Sequence, residues 1–258
     1  MIDNWTCLDQ TATSSYAEIC REAFESDKVF KTFKQDSRYT PVLEHISIEH
    51  GQDYLNGILA YDIDANLVKK FKENDIQGSP TLFDYGSPFG KVSPSTLRYV
   101  KNTLDIALFV GEGELNKIAE IGGGYGGLCK TISCLCDYDE YHIYDMPEAS
   151  MLQNKYLSAF DIHEKVVFHS VPEPTEDLDL VISNYAYSEL NEELQDLYYN
   201  NVIANSKKVY MILNKGQVSR QVLLNRAEKD FNVTVEKVLD FWPPNGYLYF
   251  TTMIKKGI

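Results

Sequence analysis

The stretch that most constrains this chain is residues 117–132, KIAEIGGGYGGLCKTI. It begins as a short apolar strand and ends as an apolar-periodic helix, with Gly122, Gly123, Gly124, Gly126 and Gly127 between them. Glycine lacks a Cβ and tolerates positive φ, so such a turn can bring backbone close to a ligand. The free N–H groups at the start of the following helix then face whatever occupies the turn. Two ligand chemistries use this shape. Gly122, Gly124 and Gly127 satisfy the G-x-G-x-x-G spacing of dinucleotide sites. Gly122, Gly124 and Gly126, preceded by Glu120, satisfy an acid-x-G-x-G-x-G spacing. The acid separates the two: a carboxylate facing the turn repels a pyrophosphate and pairs with a cationic amine. A glycine-rich loop with no ligand is the plain alternative.

These residues resemble the first motif of class I S-adenosylmethionine (SAM) methyltransferases, whose cofactor carries an ammonium and a sulfonium. The resemblance implies SAM with its amino group near Glu120. Its methionine portion would lie on the turn formed by Gly122, Gly124, Tyr125 and Gly126.

Composition excludes several other classes. Among 258 residues, Lys and Arg total 24 against 38 Asp and Glu, a net charge of −14. Phosphate binding needs a surplus of cations, so no nucleic-acid partner is expected. No basic segment with an apolar run opens the chain, and no apolar stretch is long enough to span a bilayer. A cytoplasmic protein with no membrane partner is expected; oligomeric state is open. Five cysteines without paired C-x-x-C spacing read as buried thiols rather than a zinc site or disulfides.

Taken in order, residues 14–33 read as a helix, with Tyr16, Ile19, Cys20, Ala23 and Phe24 as its apolar stripe and a break before Val29. Pro41 starts a second helix over residues 40–59, with Thr40 as its cap. A third covers residues 64–72. Residues 75–92, DIQGSPTLFDYGSPFGKV, form a loop rich in Gly, Pro and Ser yet carrying aromatics. Ser93 caps a helix over residues 94–109. Residues 1–92 therefore read as an N-terminal helical cap with an aromatic loop, and residues 93–258 as the ligand-binding domain.

From the glycine helix onward, strands alternate with helices, which predicts a parallel sheet with helices on both faces. The second strand, YHIYD, ends at Asp145, about twenty-five residues after Glu120, near the spacing of an acid that binds ribose hydroxyls. Asp145 could instead cap the next helix. Met146 follows and can pack on the adenine. The third strand, residues 165–171, carries His169. The fourth ends in SNYAYSEL, so Asn184, Tyr185, Ser188 and Glu189 lie at a strand's carboxyl end, where open α/β sheets bind ligands. This tip lacks the two prolines of the DNA amino-methyltransferase motif. The last residues read as two strands around a PPNG turn. The expected fold is α/β and Rossmann-like, with a seven-stranded, mostly parallel sheet, a terminal antiparallel hairpin and the helical cap.

The runs FGKVSPSTLRYVKN, EIGGGYGGLCK, YDMPEASMLQNKYL and LVISNYAYSELNEELQDLYY together resemble a sugar O-methyltransferase family of this superfamily, over residues 14–205. The C-terminal hairpin departs from it, with Trp242-Pro243-Pro244-Asn245-Gly246 where the family has a Gly-Pro-Gly-Asn type of turn. The resemblance implies methyl transfer from SAM to a sugar or glycan hydroxyl. A weakly acidic hydroxyl calls for a base: Glu189 first, which could instead be a first-turn helix carboxylate, and His169 second, which could instead be a core histidine. Arg98 is assigned to the cofactor carboxylate, or is a surface arginine. Asn184 is assigned to the cofactor. Tyr85 and Phe89, with Tyr185 and Ser188, are assigned to the acceptor. Metal-dependent sugar methyltransferases carry acids and a histidine at this tip; only Glu189 is present, so no metal is expected. A small-molecule O- or N-methyltransferase, or a catalytically silent binding subunit, remain the alternatives.

Overall fold

Capping side chains divide the N-terminal region into short helices. The computed structural model describes residues 10–214, 218–240 and 246–257. Helix α1 (Gln10–Glu25) ends where the backbone of Ser26 turns extended. The Ser26 Oγ then accepts from the Val29 N–H at 3.4 Å and starts α2 (Asp27–Phe30). The helix expected over residues 40–59 is two helices, α3 (Thr40–Leu43) and α4 (Ile48–Ile58). Ser47 makes the break, its Oγ accepting from the His50 N–H at 3.3 Å as a new N-cap. Tyr39, not Thr40, precedes α3. Asp64 caps α5 (Ala65–Lys72), accepting from Leu67 N–H at 2.7 Å. Residues 75–92 contain a small antiparallel ladder, Phe83–Asp84 against Lys91–Val92. Ser93 caps α6 (Pro94–Val110) through the Thr96 N–H at 3.1 Å, as expected.

The sheet follows. Its strands are β1 (Lys117–Ile121), β2 (Glu140–Tyr144), β3 (Val166–His169), β4 (Leu178–Asn184), β5 (Ser206–Leu213), β6 (Phe231–Asp240) and β7 (Gly246–Lys255). Between them lie α7 (Gly127–Ile132), α8 (Pro147–Leu157), α9 (Ala186–Glu189), α10 (Glu192–Asn201) and α11 (Val218–Asp230). The spatial order is β3-β2-β1-β4-β5-β7-β6. β1 to β5 run parallel, β7 runs antiparallel to β5, and β6 pairs antiparallel with β7. The fold class read from the sequence is the one found. The residues of the PPNG turn at 243–245 lie outside the described residues, although both flanking strands are present.

Period-2 alternation assigns each strand residue to a face. Ile118, Tyr141, Ile143, Leu180 and Ile182 pack toward α6, α7 and α8. Ala119, Ile121, Tyr144, Val181 and Val209 pack toward α10 and α11. The first cluster continues without a gap into Tyr16, Ile19, Phe33 and Tyr39 of the N-terminal region.

A buried polar strut reinforces that seam. The Asn74 amide donates to Tyr125 Oη at 3.0 Å and to Thr96 Oγ1 at 3.1 Å, and its carbonyl oxygen accepts from Tyr156. Lys34, 1% exposed, donates to the Asn74 backbone carbonyl at 3.0 Å and lies 3.9 Å from the centroid of the Tyr125 ring. Burying an ammonium is costly unless it is hydrogen-bonded or placed on an aromatic face; Lys34 has both. A third cluster, with Leu55, Ile58, Phe71, Val92 and Leu97, fills the space between α4, α5 and α6. No helix among the described residues is long and apolar enough to cross a membrane.

Candidate functional site

The sheet reverses its winding between β1 and β4, and open α/β sheets bind ligands at the carboxyl ends of the strands at such a switch point. The glycine turn lies on its β1 side. Gly122 has φ +81° and donates its N–H to the Tyr144 carbonyl at 2.9 Å. A Cβ at this position would lie 2.1 Å from the Cβ of Ala186, the first residue of α9. The turn and the β4 tip are therefore in contact, and only glycine permits it. Ser183 locks the same junction: its Oγ donates to the Ile121 carbonyl at 3.0 Å and accepts from the Tyr187 N–H at 3.1 Å. Gly124, with φ +58°, faces Leu43 and the Tyr99 hydroxyl.

Two acids meet this turn, one buried and one half-buried. Glu120 is 3% exposed, and its Oε2 accepts from the Tyr141 hydroxyl at 2.8 Å. Burial pushes its pKa up to about 8; the Tyr141 hydrogen bond opposes this, and the nearby Asp145 adds to it. Asp145 follows β2 and is pushed up to about 6, again by burial. Its carboxylate accepts from the Met146 N–H and from the Gln153 amide, both at 2.8 Å, and from the backbone of Gly123 and Gly124. It thus clamps the glycine turn to the end of β2. Gln153 also donates to the Gly124 carbonyl at 3.0 Å. Nothing local in the sequence marks Gln153, which sits two turns into α8. Met146 is half-buried against the first cluster. Tyr125, fully buried, turns its ring inward between Tyr99 and Tyr156.

The β4 tip carries a second constellation. Tyr185 has φ +73°, a left-handed backbone rare outside glycine, and its N–H donates to the Ile212 carbonyl at 2.8 Å. Both polar atoms of the Asn184 amide are sealed from solvent without a hydrogen-bond partner among the described residues. The Ser188 hydroxyl donates to the Tyr185 carbonyl at 2.7 Å and accepts from the Asn214 N–H at 3.1 Å. The Asn214 amide donates to Glu189 Oε1 at 2.9 Å, and burial raises the Glu189 carboxyl above its usual range against that bond. Arg98, 6% exposed, reaches toward the tip from α6. Its guanidinium lies 5.4 Å from the Tyr99 ring centroid and 5.9 Å from that of Tyr185, and it donates to the Leu43 carbonyl at 3.3 Å.

Other singled-out residues lie elsewhere. The His169 ring stacks on Tyr144 at 4.4 Å, with its Nε2 2.9 Å from His142 Nδ1. Tyr144 belongs to the sheet face opposite that of Glu120 and Tyr141. Burial and then His142 lower the His169 pKa. Phe89, 1% exposed, and Tyr85, 9% exposed, belong to the third cluster with Leu55 and Val92. The Tyr85 hydroxyl donates to the Ile48 carbonyl at 3.2 Å. No group of three His, Cys, Asp or Glu that could hold a metal ion occurs among the described residues. Cys20, Cys129, Cys134 and Cys136 are free thiols.

The strand order, the switch-point glycine turn and the antiparallel edge pair define the Rossmann-like fold of class I SAM-dependent methyltransferases. No family model matches the sequence, and no curated protein matches it. Solved structures do. The Thermoplasma acidophilum protein 1320 is similar at a TM-score of 0.52 and 14% identity, over 77% of this chain and all of that one (100%). A Pyrococcus horikoshii protein described as a "putative RNA methyltransferase" is similar at 0.49 and 16% identity, over 74% of this chain and 99% of that one. TrmK of M. capricolum, solved with S-adenosylhomocysteine (SAH), is similar at 0.46 and 10% identity, over 60% of this chain and 68% of that one.

Proposed function

We propose that the chain is a SAM-dependent O-methyltransferase acting on a sugar hydroxyl, on a glycan or an activated sugar. The observation that carries methyl transfer is the pair of acids, buried Glu120 and half-buried Asp145, on a glycine turn that touches the β4 tip. Burial favours the neutral form of each acid, and an arriving cation favours the charged form. SAM fits, with an ammonium and a sulfonium. A dinucleotide pyrophosphate would instead bring negative charge beside these carboxyls. The sequence resemblance supports the sugar acceptor, and a net charge of −14 argues against RNA.

When bound, SAM supplies a methyl group on a positively charged sulfur. The chain's residues then have distinct tasks. Gly122, Gly124 and Gly126 let the backbone approach the methionine portion, and Arg98 takes its carboxylate. Asp145 accepts from the ribose hydroxyls, with Met146 beside the adenine and Asn184 at the cofactor's reacting end. Tyr185 positions the acceptor, the buried Ser188 hydroxyl holds Tyr185 and Asn214 in place rather than meeting the acceptor as expected, and Glu189 takes the hydroxyl proton. Asn214, bonded to Glu189 Oε1, aims that carboxylate. Residues 1–92 act as a cap that excludes water from the site. Glu189 is preferred to His169 as base because it shares the β4 tip with Tyr185 and Ser188.

Calorimetry with SAH and with NAD tests the cofactor; binding of NAD alone would overturn the reading. A second reading, transfer to an amine, draws on Asn184, whose unpartnered carbonyl oxygen could accept from an amine N–H. Glu189→Gln separates the two. A sugar O-methyltransferase should lose roughly a hundred-fold or more in kcat with its KM for SAM unchanged, whereas amine transfer needs no strong base.

A further inference from the structure

The N-terminal region places one more charged pair beside the glycine turn. Leu43 ends α3, and its Cδ1 lies 2.9 Å from where a Cβ on Gly124 would stand. The Leu43 carbonyl accepts from Ser95 Oγ at 3.2 Å and from Arg98 Nη2 at 3.3 Å. The next residue, Glu44, accepts from the same Ser95 hydroxyl through Oε2 at 2.8 Å. Its other oxygen, Oε1, is sealed from solvent with no hydrogen-bond partner among the described residues. An unpaired carboxylate oxygen is among the costliest groups to bury, and its retention points to a ligand donor. Two cations lie near it: Lys34, whose ammonium is already bonded to the Asn74 carbonyl, and Arg98. Ser95 and the Leu43 carbonyl link Glu44 to Arg98: Ser95 is bonded to Glu44, the carbonyl to Arg98, and the two to each other. One acid with a free acceptor and one guanidinium beside a glycine turn are the complement of an α-amino acid zwitterion.

We propose that Glu44 joins Glu120 in binding the α-ammonium of the cofactor's amino-acid tail while Arg98 binds its α-carboxylate, so that the N-terminal region supplies part of the cofactor site. This rests on the SAM reading above. It also gives α3 a task that its single turn does not otherwise explain, since it sets Leu43 against Gly124 and leads directly to Glu44 on Ser95.

The test is calorimetry with three ligands: SAH, deaminated SAH (the α-ammonium replaced by hydrogen) and 5′-methylthioadenosine, which lacks the tail. The unaltered protein should bind SAH about ten- to a hundred-fold more tightly than deaminated SAH. Glu44→Gln keeps an acceptor for Ser95. It should lose a similar factor for SAH, bind deaminated SAH as the unaltered protein does, and leave methylthioadenosine unchanged. Equal loss for all three ligands would make Glu44 a packing residue and overturn the proposal. Equal affinity of the unaltered protein for SAH and deaminated SAH would overturn it without any variant. Failure of the unaltered protein to bind either SAH or methylthioadenosine would instead overturn the SAM reading, and this proposal with it.

Discussion

Glu120 sets the strongest residue-scale expectation. Its pKa of about 8 in the fold stands above the ordinary value of 4.5. Between these values the folded chain keeps a proton that the unfolded chain releases, so stability is full below about 4.5 and declines as pH rises through about 8. Glu120→Gln keeps an acceptor for Tyr141 and removes the titration. Without ligand, the variant should therefore be more stable than the parent at pH 8 and similar at pH 4.5, as read by urea denaturation. The same substitution should weaken SAH. Binding of a cationic ligand re-ionises Glu120, so SAH affinity in the parent should rise from pH 6 to pH 8 with release of protons. Calorimetry in buffers of different ionisation enthalpy reads that release, and a flat profile counts against a cation beside Glu120. Asp145 differs, because it already holds the turn through Met146, Gln153 and the glycine backbone. Asp145→Ala should therefore cost about 1–3 kcal/mol of stability in the absence of any ligand, besides weakening SAH.

At the scale of elements, the contact between the glycine turn and α9 can be dissected. Gly122→Ala meets two penalties: a Cβ 2.1 Å from that of Ala186 and a φ of +81°. Overpacking costs about 1–3 kcal/mol and left-handed backbone about 1 kcal/mol more. Adding Ala186→Gly should recover the first and not the second, which a double-mutant cycle on denaturation midpoints reads directly. If the second substitution recovers nothing, the turn and the β4 tip are not in contact. Most of these elements were legible in the sequence, because strands and helices alternate with clear periods and Ser93 is a recognisable cap. The break at Ser47 was missed, since apolar spacing continues across it and only the serine marks a new start. At the site, Glu120 and the glycines were legible from spacing alone. The places of Glu44 and Gln153 beside the turn were not: Glu44 bonds to Ser95, 51 residues on, and Gln153 is one of several polar residues on α8 with nothing in the spacing to single it out. Tyr85 and Phe89 sit in a loop of turn-like composition, and nothing in composition tells a packed aromatic from one lining a cleft.

At the scale of the molecule, the N-terminal region and the sheet share one core. Tyr16, Phe33 and Tyr39 belong to the same cluster as Ile118 and Ile143, and Asn74 joins Thr96, Tyr125 and Tyr156. Deleting residues 1–80 removes Lys34 and Asn74 from that seam and exposes Tyr99 and Tyr125. The truncated chain should therefore keep far-UV ellipticity, lose near-UV ellipticity and bind a hydrophobic dye. A truncated chain with native near-UV ellipticity would show that the two regions are separable. Point substitutions such as Glu44→Gln are then the sound way to ask what the N-terminal region does for binding.

α1 also packs on α8, and that pairing has a consequence in time. The Lys155 ammonium donates to the carbonyls of Ala23 and Phe24, a connection across more than a hundred residues of chain. A ribosome completes α1 well before α8 emerges, so the apolar stripe of Tyr16, Ile19 and Ala23 waits without its partner. Distant pairings of this kind form late and leave nascent chains prone to association. Synthesis slowed between about residues 60 and 190 should accordingly lower the soluble yield, while the same pause placed after about residue 200, once α8 has cleared the exit tunnel, should leave it unchanged.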